Sequence, residues 1–537
     1  MILALSLLFS LSGCRNRGEE ENPNSIPETP AEEELVIYHN STELAPMLMS
    51  LAEEYSSATG KKVSAKLGGS NFFEDMKSMN SAIYVVDTHS DLSAWHSGGL
   101  FSDLMNESGF AGTFSDIPSG IQLNSSGIGS FGVPLVLEGY GYIFDKDMLG
   151  DLFGEANKNE LVNDLRTCSF TDFEGFVAAV DTYISAPSSA AVTVNGNSYA
   201  FLPEKTGRAK NLTGVFSLNS ESTRAMEHLL SYGLAAKFQS RYEVMTADEE
   251  AVSGMKDIAS AYMDVLDLHT SHIAGTEGSI SRGEEFMGGD YNYSTSVDLF
   301  TKGYALFYPG GTSDAADFRE SSAEFGTNLD IIPMKLPLSD ENITAVGMTA
   351  EKLQSSIVIG SRYYIAFNPN ADENLSSEAR DFVNWIFNDE AGKTAYSSAF
   401  GKLPFNFEYN VTEAPTEPSS SEAEETPEET ASPAEENPAP ESETPSENSE
   451  PSMMETTPSH SLSESLYIAL GDYYANGNWI PDMSAALPTD FAEKVLGEGT
   501  KDYWGMETWS DDDRAGFVDK ILGGWKDRLN KDNAAVG

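Results

Sequence analysis

After residue 33, apolar residues fall into two alternating patterns: short continuous runs and stretches with helical spacing. Three runs predict buried strands, and the two stretches between them predict helices, in the order 34–40, 44–59, 62–67, 72–79 and 82–86. Strands that alternate with helices over such short links form a parallel sheet covered by helices. The predicted fold class is therefore α/β.

Polar side chains follow each of these three strands. Ligands of α/β proteins bind at the carboxyl ends of the strands, where neighbouring strand ends meet at one edge of the sheet. The residues predicted to face the same space at this edge are His39, Asn40, Ser70, Asn71, Asp87 and His89.

Further along, the chain carries more segments of both kinds. A long strand rich in glycine and tyrosine is predicted at 131–144, and another at 300–308 leads into Gly310, Gly311 and Thr312. A strand at 363–368 precedes a long helix predicted at 378–396.

One segment, 412–460, has no apolar pattern at all. It contains 14 Glu, no Lys or Arg, no aromatic residue, and a proline every few positions. Such a segment cannot bury enough apolar surface to offset its chain entropy, so we expect a disordered insertion. The whole chain has a net charge of −53, which repels nucleic acid and argues against a DNA or RNA partner.

The N-terminus has the composition of an export signal. An apolar run at 2–11 is too short to span a bilayer, and it leads into Leu11-Ser12-Gly13-Cys14, which resembles a bacterial lipobox. We therefore expect a signal peptide at 1–13, lipidation of Cys14 and a polar tether at 14–33. The protein would then be lipid-anchored on the extracytoplasmic face of the bacterial plasma membrane. The other cysteine, Cys168, is interpreted as a partly buried lone thiol.

Motifs of catalysis are missing from the sequence. It has no His-Glu-x-x-His, no Gly-x-Ser-x-Gly, no Walker loop and no Cys/His metal spacing. Paired carboxylates are frequent in so acidic a chain and carry no information about glycoside hydrolysis. We predict that the protein is not an enzyme and needs no cofactor or metal.

Five segments carry a further signal through their order and spacing: 34–59, 90–104, 131–148, 303–312 and 379–387. Their order resembles that of the extracytoplasmic solute-binding proteins of ABC importers, in the carbohydrate-binding branch related to maltose-binding protein. The resemblance runs from Glu34 to about Asn530, apart from the acidic insertion.

This resemblance implies a class II periplasmic-binding-protein-like fold, with two lobes that each hold a mostly parallel sheet flanked by helices and a hinged cleft between them. Lobe 1 would comprise 34–137 and 345–403. Lobe 2 would comprise 138–337, 404–411 and 461–530, interrupted by the insertion at 412–460.

The family's function implies a sugar or oligosaccharide bound in the cleft and delivered by a monomer to membrane permease subunits. Sugars require hydrogen-bonding groups and aromatic rings for stacking. Besides the strand-end residues above, the candidates are Glu138, Gly311 and Thr312, together with the rings Trp95, Tyr140, Tyr308 and Trp479.

Some of these assignments stay open. Trp95, Tyr308 and Trp479 also fit core positions, and Tyr291 and Tyr293 are less well placed for stacking. Thr312 stands where the family has a tryptophan, which favours a smaller or more polar solute. A cationic solute, either a polyamine or a ferric ion, is the alternative that the acidity suits.

Overall fold

A computed structural model describes residues 34–69, 71–79, 81–87, 99, 101, 104, 117–122, 132–221, 224–322, 328–406, 462–488 and 490–536. Within these ranges, strands β1 to β15 cover Leu35–His39, Val63–Leu67, Ile83–Asp87, Val133–Pro134, Glu138–Asp145, Ala191–Val194, Asn197–Ala200, Gly214–Phe216, Ile273–Ala274, Ser279–Ile280, Ala305–Gly311, Leu329–Ile332, Ile357–Gly360, Tyr363–Phe367 and Trp479–Pro481.

Helices surround these strands. The α-helices are Ala45–Thr59, Phe72–Ser78, Lys146–Phe153, Lys158–Thr167, Phe170–Ser185, Arg224–Lys237, Arg241–Met245, Glu249–Ser253, Lys256–Thr270, Glu284–Gly288, Tyr293–Thr301, Ala315–Ser321, Ala350–Ser355, Glu373–Asn388, Glu390–Phe400, Leu462–Ala475, Glu498–Trp504 and Asp511–Val536. Short 3₁₀ turns lie at Ser119–Ile121, Gly207–Asn211, Thr312–Asp314, Asp340–Asn342 and Ser484–Ala486, and a π-helix at Phe491–Gly497.

The first sheet has the strand order β2-β1-β3-β14-β4. Strand β1 pairs in parallel with β2 and β3, as the sequence predicts, and β14 is antiparallel to both β3 and β4. The helix Ala45–Thr59 buries Leu48, Leu51 and Tyr55. The Tyr55 ring meets Phe382 of the late helix edge-on at 5.1 Å. Helices therefore cover this sheet in the way that the apolar spacing predicts.

The second sheet has the order β10-β9-β8-β11-β5-β13-β15, with β12 also paired to β5. Strand β5 is antiparallel to β11, β12 and β13, while β8 runs parallel to β9 and β11. Both sheets are thus mixed rather than mostly parallel. The reason is that β5 and β14 are reached by direct crossings from the other sheet and not through helical connections.

Three neighbouring crossings join the two sheets. The predicted long strand at 131–144 is in fact two strands, β4 in the first sheet and β5 in the second. The crossings are tied by hydrogen bonds from Leu135 N to Tyr363 O and from Leu137 N to Leu403 O, both 2.8 Å. Because β13 pairs with β5, the chain returns to the first sheet at 361–362 and not at 345. The rest of the predicted division into lobes stays a prediction.

Residues on the far side of the acidic segment complete the second sheet. Residues 407–461 lie outside the described ranges, but β15 pairs in parallel with β13, Ile357 opposite Trp479. The helix Leu462–Ala475 is tied to the hinge by Tyr474 OH, which donates to Phe405 O at 2.7 Å. In the described ranges, no helix combines the length and apolarity that crossing a membrane requires.

Candidate functional site

A cavity of about 470 Å³ opens between the two sheets, next to the crossings. We call it the solute cavity. Glu43 lines the cavity from the first-sheet side, and Arg362 lines it from the crossing between β13 and β14. The other lining residues belong to the second-sheet side. The lining residues are Glu43, Tyr140, His228, Tyr293, Tyr308, Pro309, Gly310, Gly311, Ser313, Asp314, Ala316, Asp317 and Arg362.

Two consecutive glycines allow tyrosine rings to lie along the cavity wall. Gly311 of β11 stands opposite Tyr140 of β5 in the ladder, and a Cβ on Gly311 would lie 2.6 Å from the Tyr140 ring. A Cβ on Gly310 would meet the Tyr308 ring in the same way. Since no side chain fits between strand and ring, the Gly-Gly pair fixes both rings against the strand.

A tyrosine and two carboxylates form one polar wall. Tyr293 OH lies 3.0 Å from Asp314 Oδ1 and 2.5 Å from Asp317 Oδ2. The other oxygen of Asp314 accepts from Gly311 N at 3.0 Å. Burial and the Asp314 charge raise the pKa of Tyr293 well above its usual value. The phenol therefore keeps its single proton, which is shared between the two carboxylates.

Charges at the hinge side are paired. Glu43 lies 3.7 Å from Arg362 NH1 and 3.4 Å from Lys402 Nζ. Lys402 Nζ is also 3.8 Å from Glu138 Oε1, and Tyr140 OH donates to the other Glu138 oxygen at 2.7 Å. Glu138 is only 1 % exposed. A buried carboxylate requires such partners, which explains why Glu138 points into the hinge.

The Tyr140 ring also packs against a buried polar network that contains His228 and Asp482. The His228 ring stacks on Tyr140 with 3.3 Å between centroids, and His228 Nδ1 lies 3.6 Å from Asp482 Oδ2. Ser231 and Ser484 donate to Asp482 Oδ1. Burial alone would raise the pKa of Asp482, but the His228 and Arg241 charges outweigh it and hold the pKa well below its usual value.

Arg241 connects this network to the first sheet. Its Nε donates to Asp482 O at 2.7 Å, and its NH1 donates to Tyr364 OH of β14 at 3.1 Å. Tyr364 OH in turn donates to Ile121 O at 2.8 Å. The cavity wall of the second sheet is thereby joined to the first sheet by side chains as well as by the crossings.

Three of the residues predicted from sequence line the solute cavity: Tyr140, Tyr308 and Gly311. Two others support it from behind. Glu138 lies in the hinge, and the fully buried Thr312 accepts through Oγ1 from Gly139 N at 3.1 Å.

The remaining predicted residues are elsewhere or outside the described ranges. His39 is 1 % exposed, and burial lowers its pKa; neither it nor Asn40 lines the cavity. Asn71 lies exposed at the start of the helix Phe72–Ser78, and Trp479 stacks on Tyr474 at 5.6 Å between centroids. The predictions that lie outside the described residues are Cys14, Ser70, His89 and Trp95, and of Asp87 only the backbone is described.

Sequence reasoning missed several lining residues. Glu43, His228, Asp314, Asp317 and Arg362 were not singled out, and Tyr293 was ranked below the other rings. Asp314 and Asp317 carry a usable signal, because they follow Gly311 by three and six residues and their spacing of three places them on one face of a helix. His228 carries none, since its helix lies far along the chain from both strands. In the described residues, no three of the His, Cys, Asp and Glu side chains are grouped to hold a metal ion.

Residues 52–423 match the family described as bacterial extracellular solute-binding protein. This match covers more than half of the chain. The protein therefore belongs to the bacterial extracellular solute-binding proteins, the wider class that the sequence resemblance predicts.

Solved structures of similar fold cover nearly the whole chain. RafE from Streptococcus pneumoniae, in its apo form, is 13 % identical with a TM-score of 0.56, and the match covers 93 % of this chain and 99 % of RafE. The bacterial solute receptor AcbH is 11 % identical with a TM-score of 0.54, covering 93 % of this chain and 100 % of AcbH.

A chitin oligosaccharide binding protein is 12 % identical with a TM-score of 0.53, covering 93 % of this chain and 99 % of that protein. At these identities the likeness establishes the two-lobe fold. Comparison with curated proteins gives no match.

Proposed function

We propose that the protein captures a carbohydrate in the solute cavity and delivers it to the permease of an ABC importer. The observation that carries this proposal is the wall of the cavity, which combines tyrosine rings with carboxylates. The cavity of about 470 Å³ falls in the range typical of small-molecule sites, ~300–1,000 Å³.

The chemistry of the wall suits a polyhydroxylated ring. Tyr293 is 38 % exposed and offers a ring against which the apolar face of a sugar can stack, whereas Tyr140 and Tyr308 are packed into the wall behind it. Asp314 and Asp317 accept hydrogen bonds from hydroxyls, and charged acceptors make the stronger bonds. Arg362 supplies donors from the opposite side of the cavity.

The names of similar structures agree with this class of solute. AcbH is described as having an exclusive preference for β-D-galactopyranose, and RafE has also been solved in complex with raffinose. The chain retains the fold of these receptors at low identity, so the particular sugar has to be found by experiment.

A thermal-shift screen of the full chain against mono- and oligosaccharides tests the proposal. A sugar at 100 times its Kd should add about 2.7 kcal/mol to the free energy of unfolding. Asp314→Asn should abolish most of that gain, because it removes a charged acceptor of the wall. Asp381→Asn is the matched control, since Asp381 is exposed and, within the described part of the chain, pairs with the surface residue Lys61. A panel without any stabilising sugar would contradict the proposal.

An organic cation such as a polyamine is the second candidate. The observation that favours it is the excess of carboxylates in the cavity, where Glu43, Asp314 and Asp317 face Arg362. Spermidine and spermine belong in the same screen. Stabilisation by these amines, with none by any sugar, would replace the carbohydrate proposal with this one.

Membrane attachment through Cys14 belongs to the same proposal. A diacylglyceryl-modified Cys14 followed by the tether at 14–33 would hold the receptor beside its permease. Metabolic labelling with a palmitate analogue should mark the wild-type chain and not Cys14→Ser. Equal labelling of both chains would contradict the lipid anchor.

A further inference from the structure

A second, smaller cavity adjoins the solute cavity. It has a volume of about 40 Å³, and we call it the side cavity. Tyr308 and Pro309 of β11 line both cavities, so the two cavities meet at this strand segment. The other lining residues are Ser217, Leu218, Asn219, Leu229, Leu266, His269, Ser296 and Trp504.

One lining residue carries a donor that the protein does not use. Trp504 is 3 % exposed, and its Nε1–H is buried without a hydrogen-bond partner among the described residues. A buried unsatisfied donor costs about 1–3 kcal/mol. Such groups in native proteins call for a specific explanation, of which a bound partner is one.

The two serine hydroxyls of the side cavity already donate hydrogen bonds within the protein, and its histidine is uncharged. Ser217 donates to Ser296 O at 2.6 Å, and Ser296 donates to Tyr293 O at 2.7 Å. His269 Nε2 lies 2.8 Å from Tyr142 OH, and burial lowers the pKa of His269 to about 3, so the ring is uncharged. Of the described lining residues, none is therefore charged, in contrast to the acidic wall of the solute cavity.

The size of the side cavity limits what it can accept. One water-sized group needs about 10–15 Å³ of such volume, so about 40 Å³ admits a few heavy atoms but no sugar ring. Leu218, Leu229 and Leu266 suit a methylene group, and the Trp504 donor suits a neutral oxygen. A hydroxymethyl group combines the two.

We propose that the side cavity is a subsite of the solute cavity that takes the hydroxymethyl group of a hexose, with Trp504 Nε1–H donating to its oxygen. This inference rests on the proposed carbohydrate function. It makes Trp504 the residue that distinguishes hexoses from pentoses.

Pairs of sugars that differ by hydroxymethyl groups test the subsite. Isothermal titration of the full chain should compare glucose with xylose, galactose with L-arabinose, and cellobiose with xylobiose. We expect the wild-type chain to bind the hexose member of a pair about tenfold more tightly. Trp504→Phe keeps a ring but removes the N–H, and it should weaken hexose binding about tenfold while leaving pentose binding unchanged.

Trp525→Phe is the matched control. Trp525 is 1 % exposed, its Nε1–H also lacks a partner among the described residues, and it lines neither cavity. It should leave every affinity unchanged. Thermal unfolding of both variants checks that each still folds.

The outcomes separate the two proposals. If sugars bind and Trp504→Phe leaves the hexose-to-pentose ratio unaltered, the subsite is wrong while the carbohydrate function stands. A wild-type chain that binds both members of a pair equally well also overturns the subsite. If none of the six sugars binds, the carbohydrate function fails for this panel and the subsite fails with it.

Discussion

The two sheets are built from the chain in different ways. The first sheet takes four of its five strands from residues 35–134 and adds only β14 from later in the chain. The second sheet takes strands from residues 138 to 481, on both sides of the acidic segment. A segment that looks like a domain linker in the sequence therefore separates strands of one sheet, and the second sheet depends on residues beyond that segment.

The largest expected effect comes from ending the chain at residue 411. This truncation removes β15 and the helices that pack on the second sheet, including six side chains exposed by 4 % or less: Leu466, Leu470, Ile480, Phe491, Leu496 and Trp525. At about 1.5–3 kcal/mol each, their loss matches the whole stability of a typical domain, about 5–15 kcal/mol. Limited proteolysis should degrade the region 138–360. If 138–360 resisted the protease as well as it does in the wild type, the second sheet would not depend on the residues after 411.

The next effect concerns the buried network behind Tyr140. Asp482→Ala leaves Arg241 and His228 without their nearby carboxylate and should reduce the free energy of unfolding by about 3 kcal/mol, as measured in urea. Asp381→Ala in the first lobe is the control. It removes an ion pair whose side chains are 39 % and 59 % exposed, so its loss should cost less than about 1 kcal/mol. Equal costs for the two variants would contradict the structural role of Asp482.

A pH dependence of stability should also arise from a buried histidine that contacts the second sheet. Burial lowers the pKa of His269 in the second lobe to about 3. Because the unfolded chain binds a proton below about pH 6.5 and the folded chain does not, stability should fall as the pH drops from about 6.5 toward 3. Between pH 7 and pH 5 the loss should be about 2 kcal/mol. His269→Gln should flatten this slope in urea unfolding, and an unchanged slope would exclude His269 as its source.

The smallest effect should follow from deleting 412–460 and closing the gap with a short Gly/Ser bridge. Loop closure entropy changes slowly with length, so this variant should be more stable than the wild type by only about 1 kcal/mol. Binding should be unaffected. A large loss of stability would mean that the segment contributes to folding.

The two sheets also differ in how much of them the sequence predicts. Apolar spacing predicts β1 to β3, the parallel pairs between them, and the helix Ala45–Thr59, because neighbours in the sequence are neighbours in the fold. The long helix predicted at 378–396 is two helices, since Asp389 caps a new helix by accepting from Ala391 N and Gly392 N. Local sequence patterns therefore predict the structure best where the contacts are between neighbouring segments of the chain.

Candidate site residues divide in the same way. Tyr140 and Gly311 are predicted from the strands that carry them, and they meet through the ladder of β5 and β11. Glu138 is a strong candidate in the sequence because a buried carboxylate needs a partner, but the partner is Lys402, 264 positions away, and the pair lies in the hinge. His228 and Arg362 reach the cavity only through the packing of distant segments, which no local pattern encodes.

A crystal structure with the sugar that binds most tightly tests the central claim directly. We predict that the sugar lies in the solute cavity, against Tyr293 and within hydrogen-bond distance of Asp314, with Arg362 or Glu43 in contact from the other side. A sugar bound at any other place on the molecule, with the solute cavity unoccupied, would contradict it.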